Sequence, residues 1–307
     1  MDTTTLKKQI LTAFFAAYGI AAPAGIYRDD VPVARYRALA AQPQFQCVGE
    51  LFDDRERMLG GSCILVGNRY VLSAAHCFIK SDSRQDTMTV GGKQIIVNQQ
   101  MNERVGNIST YSFRFGRRRY HGKAIKIFPA YLDSATKGWG DMALIQLTDT
   151  LADINPATLS AAMNELHSVV VGVGYGASGK ASMPEDVDVY MEKIAGENTI
   201  DSVYGYMVNG RPSLMCADFD HPTNTACNKL GAARALPLEY TPTGGDSGGG
   251  LFRRSGSGWQ LIGVCVGSGV DMKQFFATGY YGQTMSWTRV SVFRNWILQT
   301  MNELDAQ

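Results

Sequence analysis

The chain has 307 residues, of which 45% are hydrophobic and 19% charged, and its formal net charge at pH 7 is +1. A chain of this length and composition can bury one large core or two of medium size. The near-neutral charge argues against charge-driven binding to nucleic acid or to acidic membranes. The 33 glycines favour a β-rich fold with many turns and bulges.

The first residues have the pattern of an export signal. Lys7 and Lys8 precede an apolar run over residues 10–22, and Ala22-Pro23-Ala24 offers small residues at the spacing that a signal peptidase recognises. The run is shorter than the roughly 20 apolar residues that a membrane-spanning helix needs. We therefore predict a signal peptide over residues 1–24 and a secreted product, extracellular or periplasmic, without stable membrane association. A buried N-terminal helix is the alternative.

Strand-like runs rich in β-branched and aromatic residues follow a mixed, partly helical stretch over residues 26–41. They are separated by turn signals such as Gly60-Gly61 and Gly67-Asn68. The predicted strands are Phe45–Phe52, Ser62–Val66, Tyr70–Ser73, Thr87–Asn98, Thr110–Phe115, Lys123–Phe128, Ala143–Leu147, Ser168–Val173, Val187–Ile194, Leu251–Phe252, Gln260–Val266 and Met285–Val290. Short strands at such intervals indicate a sandwich or a barrel. Residues 149–162 read as a connector.

A helix is predicted at the end of the chain. Ser291 is its expected N-cap, because a serine side chain can accept a hydrogen bond from a free amide of the first turn. The apolar residues after it fall on one face at helical spacing, as a helix packed on a core requires. These residues are Val292, Phe293, Trp296, Ile297 and Met301.

The six cysteines favour disulfides if the chain is exported. The expected bridges join residues that flank an apolar hairpin-like segment and a polar loop: Cys63 with Cys77, and Cys216 with Cys227. Cys47 and Cys265 remain as a third pair or as buried thiols. Spacing alone does not fix the connectivity.

Two segments place a candidate catalytic residue next to a predicted strand: His76 follows one strand, and Asp141 opens another. A predicted strand delivers His76 to a turn with small neighbours, whereas His121, His167 and His221 read as ordinary surface or core residues. Asp141 opens a strand that is otherwise apolar. A buried carboxylate there needs a partner, and an imidazole N–H is suitable. By itself an aspartate at a strand start is usually a turn residue.

The third segment, residues 243–250, reads Thr-Gly-Gly-Asp-Ser-Gly-Gly-Gly. Its glycines allow a sharp turn that exposes the Ser247 hydroxyl and lets the amides of Gly245 and Ser247 point to one spot. Two such donors stabilise the oxyanion formed when a carbonyl is attacked, at ~3 kcal/mol per donor. A linker or a phosphate loop is the other interpretation, but no Lys-Ser or Lys-Thr pair follows. A serine nucleophile needs a base and a third group that orients it, roles suited to His76 and Asp141.

With these flanks the chain resembles the chymotrypsin/trypsin family of serine peptidases, as a bacterial-type secreted member. The likeness covers roughly residues 44–300 and rests on three motifs in order: Ser73–Cys77, Asp141–Leu144 and Gly245–Gly249. It implies an all-β fold of two antiparallel six-stranded barrels with a C-terminal α-helix. The N-terminal extension and first barrel are expected over residues 25–160, and the second barrel and helix over 161–307. It also implies an acyl-enzyme mechanism.

The expected specificity pocket departs from the family's trypsin-like members. Thr241 stands where those members carry aspartate, so a preference for arginine or lysine does not transfer. Val266 and Gly267 resemble the wall that pairs with substrate, and Met285 stands where glycine is common, which would narrow the pocket and make it apolar. We predict small or apolar side chains before the scissile bond. Glu239 would reach the pocket only if the loop length differs.

The partner of Asp246 is the second open point. In the family this aspartate often pairs with a freed N-terminal amine. Trimming near Gly25 or Ile26 would supply that amine, and satisfaction of Asp246 inside the fold is the alternative. No metal or cofactor is expected, and the predicted partner is a protein or peptide substrate of a monomeric enzyme. The competing functions are a non-catalytic homologue that acts as a binding protein or adhesin, and an esterase. The esterase elbow Gly-x-Ser-x-Gly of α/β-hydrolases is a poor match to this β-rich chain.

Overall fold

The structure is a computed structural model that describes residues 25–55, 58–90, 93–136, 138–182, 192–231, 234–268 and 280–307. The predicted signal peptide lies outside the described residues. The helices are α1 (Val33–Ala40), α2 (Pro129–Leu132) and α3 (Val290–Asp305). None of the helices in the described ranges is long and apolar enough to cross a membrane.

The strands account for most of the described chain. In order they are β1 (Ile26–Tyr27), β2 (Val48–Asp53), β3 (Met58–Gly67), β4 (Tyr70–Ser73), β5 (Ile79–Val90), β6 (Lys93–Val105), β7 (Tyr111–Phe115), β8 (Arg118–Ile127), β9 (Ala143–Leu147), β10 (Thr158–Leu159), β11 (Val169–Gly174), β12 (Gly179–Lys180), β13 (Ile194–Thr199), β14 (Ser202–Val208), β15 (Arg211–Asp218), β16 (Tyr240–Thr241), β17 (Gly250–Ser255), β18 (Gly258–Ser268) and β19 (Thr284–Arg289).

The first barrel is closed, with the strand order β2-β3-β4-β9-β8-β7, and two of its pairings, β4 with β9 and β7 with β2, join strands far apart in sequence. β4 and β9 carry hydrophobic runs that are buried along their length, as central strands of a barrel require. β4 ends just before the segment of His76, and β9 begins just after Asp141. The buried ladder Ser73↔Ala143 therefore brings the segments of His76 and Asp141 to one end of the barrel.

The second half of the chain forms an eight-stranded sheet with the order β13-β11-β17-β18-β19-β15-β14, to which β10 adds beside β18. The six strands from β13 to β15 pair antiparallel throughout. Met215, Leu251, Ile262 and Trp287 are fully or almost fully buried in its core. The predicted fold class is confirmed: a chymotrypsin-like, mostly β chain with a C-terminal helix.

The N-terminal segment is tied to the second half of the chain. β1 pairs parallel with β12 and antiparallel with β16, and the register places Ile26 opposite Thr241. Ile26 is fully buried. This small sheet holds residue 25 beside the loop that carries Asp246.

Residues 78–107 form a separate compact unit, a long antiparallel hairpin of β5 and β6. The sequence predicted a single strand over Thr87–Asn98, and this was wrong, because the range falls on two antiparallel strands whose residues Val90 and Lys93 pair with each other. Continuous β-propensity along a sequence does not reveal where one strand ends and the next begins.

Helix α3 begins two residues earlier than predicted. Its N-cap is Arg289, without a side-chain cap, and Ser291 lies inside the first turn. The predicted Ser291 cap was wrong because its hydroxyl donates to the buried Glu165 carboxylate at 2.6 Å. Arg289 pairs with the same carboxylate at 2.7 Å, so Glu165 is satisfied inside the fold. Phe293 and Ile297 are buried as expected.

Candidate active site

His76 and Asp141 lie in direct contact. The distance from His76 Nδ1 to Asp141 Oδ2 is 2.6 Å, and the backbone amide of His76 donates to Asp141 Oδ1 at 3.0 Å. The Asp141 side chain is 6% exposed and that of His76 is 24% exposed. Both carboxylate oxygens are therefore occupied by one residue, which fixes the imidazole ring while leaving part of it open to an incoming group.

The charge of Asp141 decides the protonation of His76. Burial lowers the pKa of His76, but the neighbouring Asp141 carboxylate and Cys77 raise it, and the result lies well above the ordinary 6.5. The imidazolium form is thus stabilised by its partner. This is the property that a general base needs in order to hold a proton taken from a nucleophile.

Thr288, which sequence reasoning missed, supports Asp141 from β19. Its hydroxyl is fully buried and donates to the Asp141 carbonyl at 3.1 Å. The two residues are 147 positions apart. No local pattern could have revealed the contact, since a threonine in a strand is unremarkable.

Ser247 lies in a loop that is anchored on both sides. Gly248 donates to the Cys265 carbonyl and Cys265 donates to the Gly249 carbonyl, each at 2.8 Å. The Ser247 hydroxyl is partly exposed and donates to the Val266 carbonyl at 3.5 Å. The Cys77 thiol, next to His76, lies 3.9 Å from the Ser247 carbonyl. Ser247 is therefore held beside the His76 segment.

The turn before Ser247 has the shape that the sequence led us to expect. The amide of Asp246 donates to the Thr243 carbonyl at 3.1 Å, and Gly245 has a φ of +95°. A positive φ at the third position of such a turn is the mark of a type II turn and favours glycine. Within the part of the chain that the structure describes, neither the Gly245 amide nor the Ser247 amide donates to a protein acceptor, so both are available to a ligand oxygen.

The Asp246 carboxylate joins the first residue of that turn to the start of the described chain. Its Oδ2 accepts from the Gly25 backbone nitrogen at 2.9 Å and from the Thr243 amide at 3.2 Å. The residue is 2% exposed, and Oδ1 has no hydrogen-bond partner among the described residues. Burial raises the pKa of Asp246 to about 6, against the lowering effect of these amides. A buried carboxylate with an unused oxygen is a site where a positive charge would be stabilising.

The predicted pocket residues lie together. Thr241 and Met285 are fully buried. Ser268 pairs with Met285 across β18 and β19, and its hydroxyl lies 3.4 Å from that of Thr241. Val266 is the extra residue of a bulge between Cys265 and Gly267. Thr241 itself is uncharged, so this set of residues has no charged side chain at that position. A neighbouring stretch, residues 269–279, lies outside the described residues.

Glu239 does not take the place of a charged pocket residue. It is 1% exposed, and its carboxyl accepts from the backbone amide of Leu236, with the backbone of Asp220 as a second hydrogen-bond partner. Burial raises its pKa to about 9.

The expected disulfides are absent, and all six cysteines are free thiols. The Cys63 thiol is directed toward the Glu50 carbonyl, whereas that of Cys77 faces Ser247. A Cβ at Gly61 of β3 would lie 3.0 Å from the Cys77 sulfur, so a residue without a side chain stands beside Cys77.

The second expected pair is also separated. Cys216 contacts the carbonyl of Ala217, and Cys227 accepts from the Asn224 side chain at 3.2 Å. Cys47 and Cys265 are buried thiols, one of the two states foreseen for them, and burial raises the pKa of each.

We expect six reactive thiols per chain when the purified protein is unfolded without reductant and titrated with a thiol reagent, because the structure pairs none of them. A sample reduced before the titration sets the maximum. A count of four or two in the unreduced sample, rising to six after reduction, would contradict the structure at the cysteines.

Comparison with known proteins places this geometry in a family. A family model for trypsin matches residues 39–229, which include His76 and Asp141 and end before the Ser247 loop. Transmembrane protease serine 9 of Rattus norvegicus is 24% identical over 275 residues, 87% of this chain. The chain spans only 22% of the length of that relative.

Among solved structures, mouse neuropsin, a serine protease expressed in the limbic system of the brain, aligns with a TM-score of 0.53 and 20% identity. The alignment covers 90% of this chain and 98% of that one. This likeness shows the fold. Both relatives are mammalian, so they do not support the bacterial type that the sequence had suggested.

Proposed function

Since the chain belongs to the trypsin family, we propose that it is a serine endopeptidase with Ser247 as nucleophile, His76 as general base and Asp141 as its orienting partner. The observation that carries the proposal is the 2.6 Å contact between His76 Nδ1 and Asp141 Oδ2. That contact orients the ring through Nδ1, so Nε2 is the nitrogen that takes the proton of Ser247 in the proposed mechanism.

The proposed reaction proceeds through an acyl-enzyme. Ser247 Oγ attacks the carbonyl carbon of the peptide while His76 takes its proton. The carbonyl oxygen becomes negative and accepts hydrogen bonds from the Gly245 and Ser247 amides. The C–N bond then breaks as His76 gives the proton to the leaving amine. Water, deprotonated by His76, attacks the acyl-enzyme, and the proton returns to Ser247 as the acid leaves.

Cleavage of a peptide library, with Ser247→Ala as the control, tests this function. We expect turnover by the wild-type protein and none by the variant, with endopeptidase products from internal bonds. If the folded wild-type protein binds peptides without cleaving them, the alternative of a non-catalytic binding homologue is correct. If it turns over simple esters but no peptides, the esterase reading is correct.

The same library tests the proposed pocket of Thr241, Val266, Gly267 and Met285. We expect cleavage after small or apolar residues, because Thr241 is neutral and Met285 fills the adjacent space with an apolar side chain. Met285→Ala is expected to shift the preference toward larger apolar residues. Met215→Ala, an equally buried methionine on β15, controls for general loss of packing. Cleavage chiefly after arginine or lysine would rule out this pocket.

We propose that a free amine at Gly25 activates the enzyme by pairing with Asp246. The 2.9 Å contact between Gly25 N and Asp246 Oδ2 supports the proposal, because an ammonium in that place would neutralise a buried carboxylate. We expect a protein that begins at Gly25 to be at least tenfold more active than one extended by two residues. Equal activity of the two forms would show that Asp246 needs no terminal amine.

The stability of the two forms is expected to depend on pH in opposite ways. With only amides as donors, the folded-state pKa of Asp246 is raised from 3.8 to about 6. A raised pKa means that the stability this group contributes is complete below about pH 4 and is lost as pH rises through 6. An ammonium group at Gly25 would favour the charged form of Asp246, so the change of stability with pH would have the opposite sign. The free energy of unfolding of the extended form, measured in denaturant, should therefore fall relative to that of the form beginning at Gly25 between pH 4 and 7.

We further propose that the enzyme is exported by its leader, with cleavage after Ala24, and acts as a monomer on proteins or peptides outside the cytoplasm. The leader pattern at residues 1–24 supports export. The free thiols oppose it, since exported proteins commonly form disulfides. N-terminal sequencing of the protein recovered from each cell fraction decides whether the leader is cleaved and the protein exported. Recovery of uncleaved chain from the cytoplasm alone would end the proposal.

A further inference from the structure

Ser62 on β3 makes an unusual number of contacts with the active-site loop. It is fully buried, and it pairs with Glu50 across β2 and β3. Its backbone amide donates to the Ser247 carbonyl at 2.7 Å. Its hydroxyl donates to the Gly245 carbonyl at 2.9 Å. One residue of the first barrel thus holds the carbonyls of Gly245 and Ser247, the two residues of the proposed oxyanion hole.

The Ser62 hydroxyl donates one hydrogen bond and accepts another. Besides donating to Gly245, it accepts from the Tyr175 amide at 2.8 Å, and the Ser62 carbonyl accepts from the Ser73 hydroxyl at 2.8 Å. A hydroxyl has a single proton to donate, so its direction is set by the Gly245 carbonyl. The bond therefore has a defined geometry. The hydroxyl cannot donate to another protein acceptor without losing the contact with Gly245.

Gly245 is the residue that gains most from such a restraint. Glycine at positive φ has no Cβ to limit its rotation, and its amide must keep one direction for an oxyanion to be bound. A bond to its carbonyl restrains the peptide plane that follows Gly245 and so limits how far the Gly245 backbone can rotate. The Ser62 side chain therefore supplies, from outside the loop, the rigidity that the glycines of the loop lack.

We propose that Ser62 is a positioning residue for the oxyanion hole, acting through the Gly245 carbonyl and never touching substrate. The inference rests on the proposed peptidase function and deepens it. It separates two contributions of β3: the backbone bond to Ser247, which any residue type would make, and the side-chain bond to Gly245, which this serine makes.

The test compares Ser62→Ala with Ser112→Ala, a fully buried serine of β7 whose hydroxyl donates to Asp54 at 2.7 Å. We expect Ser62→Ala to lower kcat about tenfold, less than the 10²–10³-fold loss of a whole oxyanion donor. KM should change less than threefold. Ser112→Ala should keep the wild-type kcat.

A second readout distinguishes positioning from a general loss of structure. A peptide aldehyde forms a tetrahedral adduct whose oxygen occupies the oxyanion hole, whereas the matching peptide acid binds without one. The inhibition constant of the aldehyde should rise about tenfold in Ser62→Ala, and that of the acid should not change. Ser62→Cys, which keeps the volume and a weak donor, should fall between the two and provides the answer if Ser62→Ala does not fold.

An active wild-type enzyme whose Ser62 variants keep its kcat and aldehyde affinity would overturn the proposal for Ser62 alone. So would equal weakening of the aldehyde and the acid. If the wild-type protein neither cleaves peptides nor binds the aldehyde, the proposed function itself fails.

Discussion

Replacing His76 by alanine is expected to lower kcat/KM for a peptide substrate by about 10⁶-fold, because Ser247 then has no base to take its proton. The loss should be in kcat, since the imidazole acts on the reacting atoms and contributes little to substrate binding. Initial rates on the best library peptide, with enzyme concentration set by absorbance, give the measurement.

The control is His121→Ala, which removes a half-exposed histidine that lies 3.8 Å from Asp54, outside the site. It should retain wild-type kcat/KM. Loss of less than 10²-fold in a folded His76→Ala variant would show that another group serves as the base, and the assignment of His76 would be wrong.

Asp141→Asn is expected to reduce kcat by about 10⁴-fold, because an amide can hold the imidazole in the wrong tautomer and cannot stabilise its charged form. The pH profile adds a specific signature. Asp141 raises the pKa of His76, so the rising limb of kcat/KM against pH should lie above 6.5 in the wild type and move to lower pH in the variant.

The same pair affects stability with a definite sign. A folded-state pKa of His76 above its unfolded value means that the pair's contribution is complete below about pH 6.5 and is lost as pH rises through the folded pKa. Asp53→Asn, a buried aspartate of β2, is the matched control. If Asp141→Asn keeps full activity, as the control Asp53→Asn should, then Asp141 is not the partner that orients the imidazole. The same follows if the pH profile of Asp141→Asn does not move.

The part of the fold predicted from sequence is the part with strong local signals. β4 matches the predicted Tyr70–Ser73 and β9 matches Ala143–Leu147 at both ends. Both are short apolar runs bounded by turn residues, so propensity and burial agree. The connector from residue 149 contains only the two-residue strand β10, which pairs with β18 far along the chain.

Two strands of the second half were missed despite an available signal. β14 and β15 are joined at Asn209-Gly210, both with positive φ, which is the commonest two-residue hairpin turn. The mixed polarity of the flanking residues hid the alternation. Their absence from the prediction left the sheet of the second half without two of its strands.

The site was predictable only in its chemistry. The types and order of His76, Asp141 and Ser247 follow from motifs, because acyl transfer needs those groups. The supports do not, since Thr288 and Ser62 reach their targets across 147 and 183 positions of sequence. The disulfides were misjudged because pairing depends on which way each Cβ points, and the Cys63 and Cys77 thiols lie against different carbonyls, those of Glu50 and Ser247.

The most direct test of the account is covalent labelling by a peptidyl phosphonate, which reacts only with an activated serine. We expect the folded wild-type protein to gain one phosphonyl group, located on Ser247 by mass spectrometry of the digested adduct. Ser247→Ala and His76→Ala should not be labelled, and His121→Ala should be labelled at the wild-type rate. Labelling on another residue, or equal labelling of wild type and His76→Ala, would contradict the assignment of Ser247 as a nucleophile activated by His76.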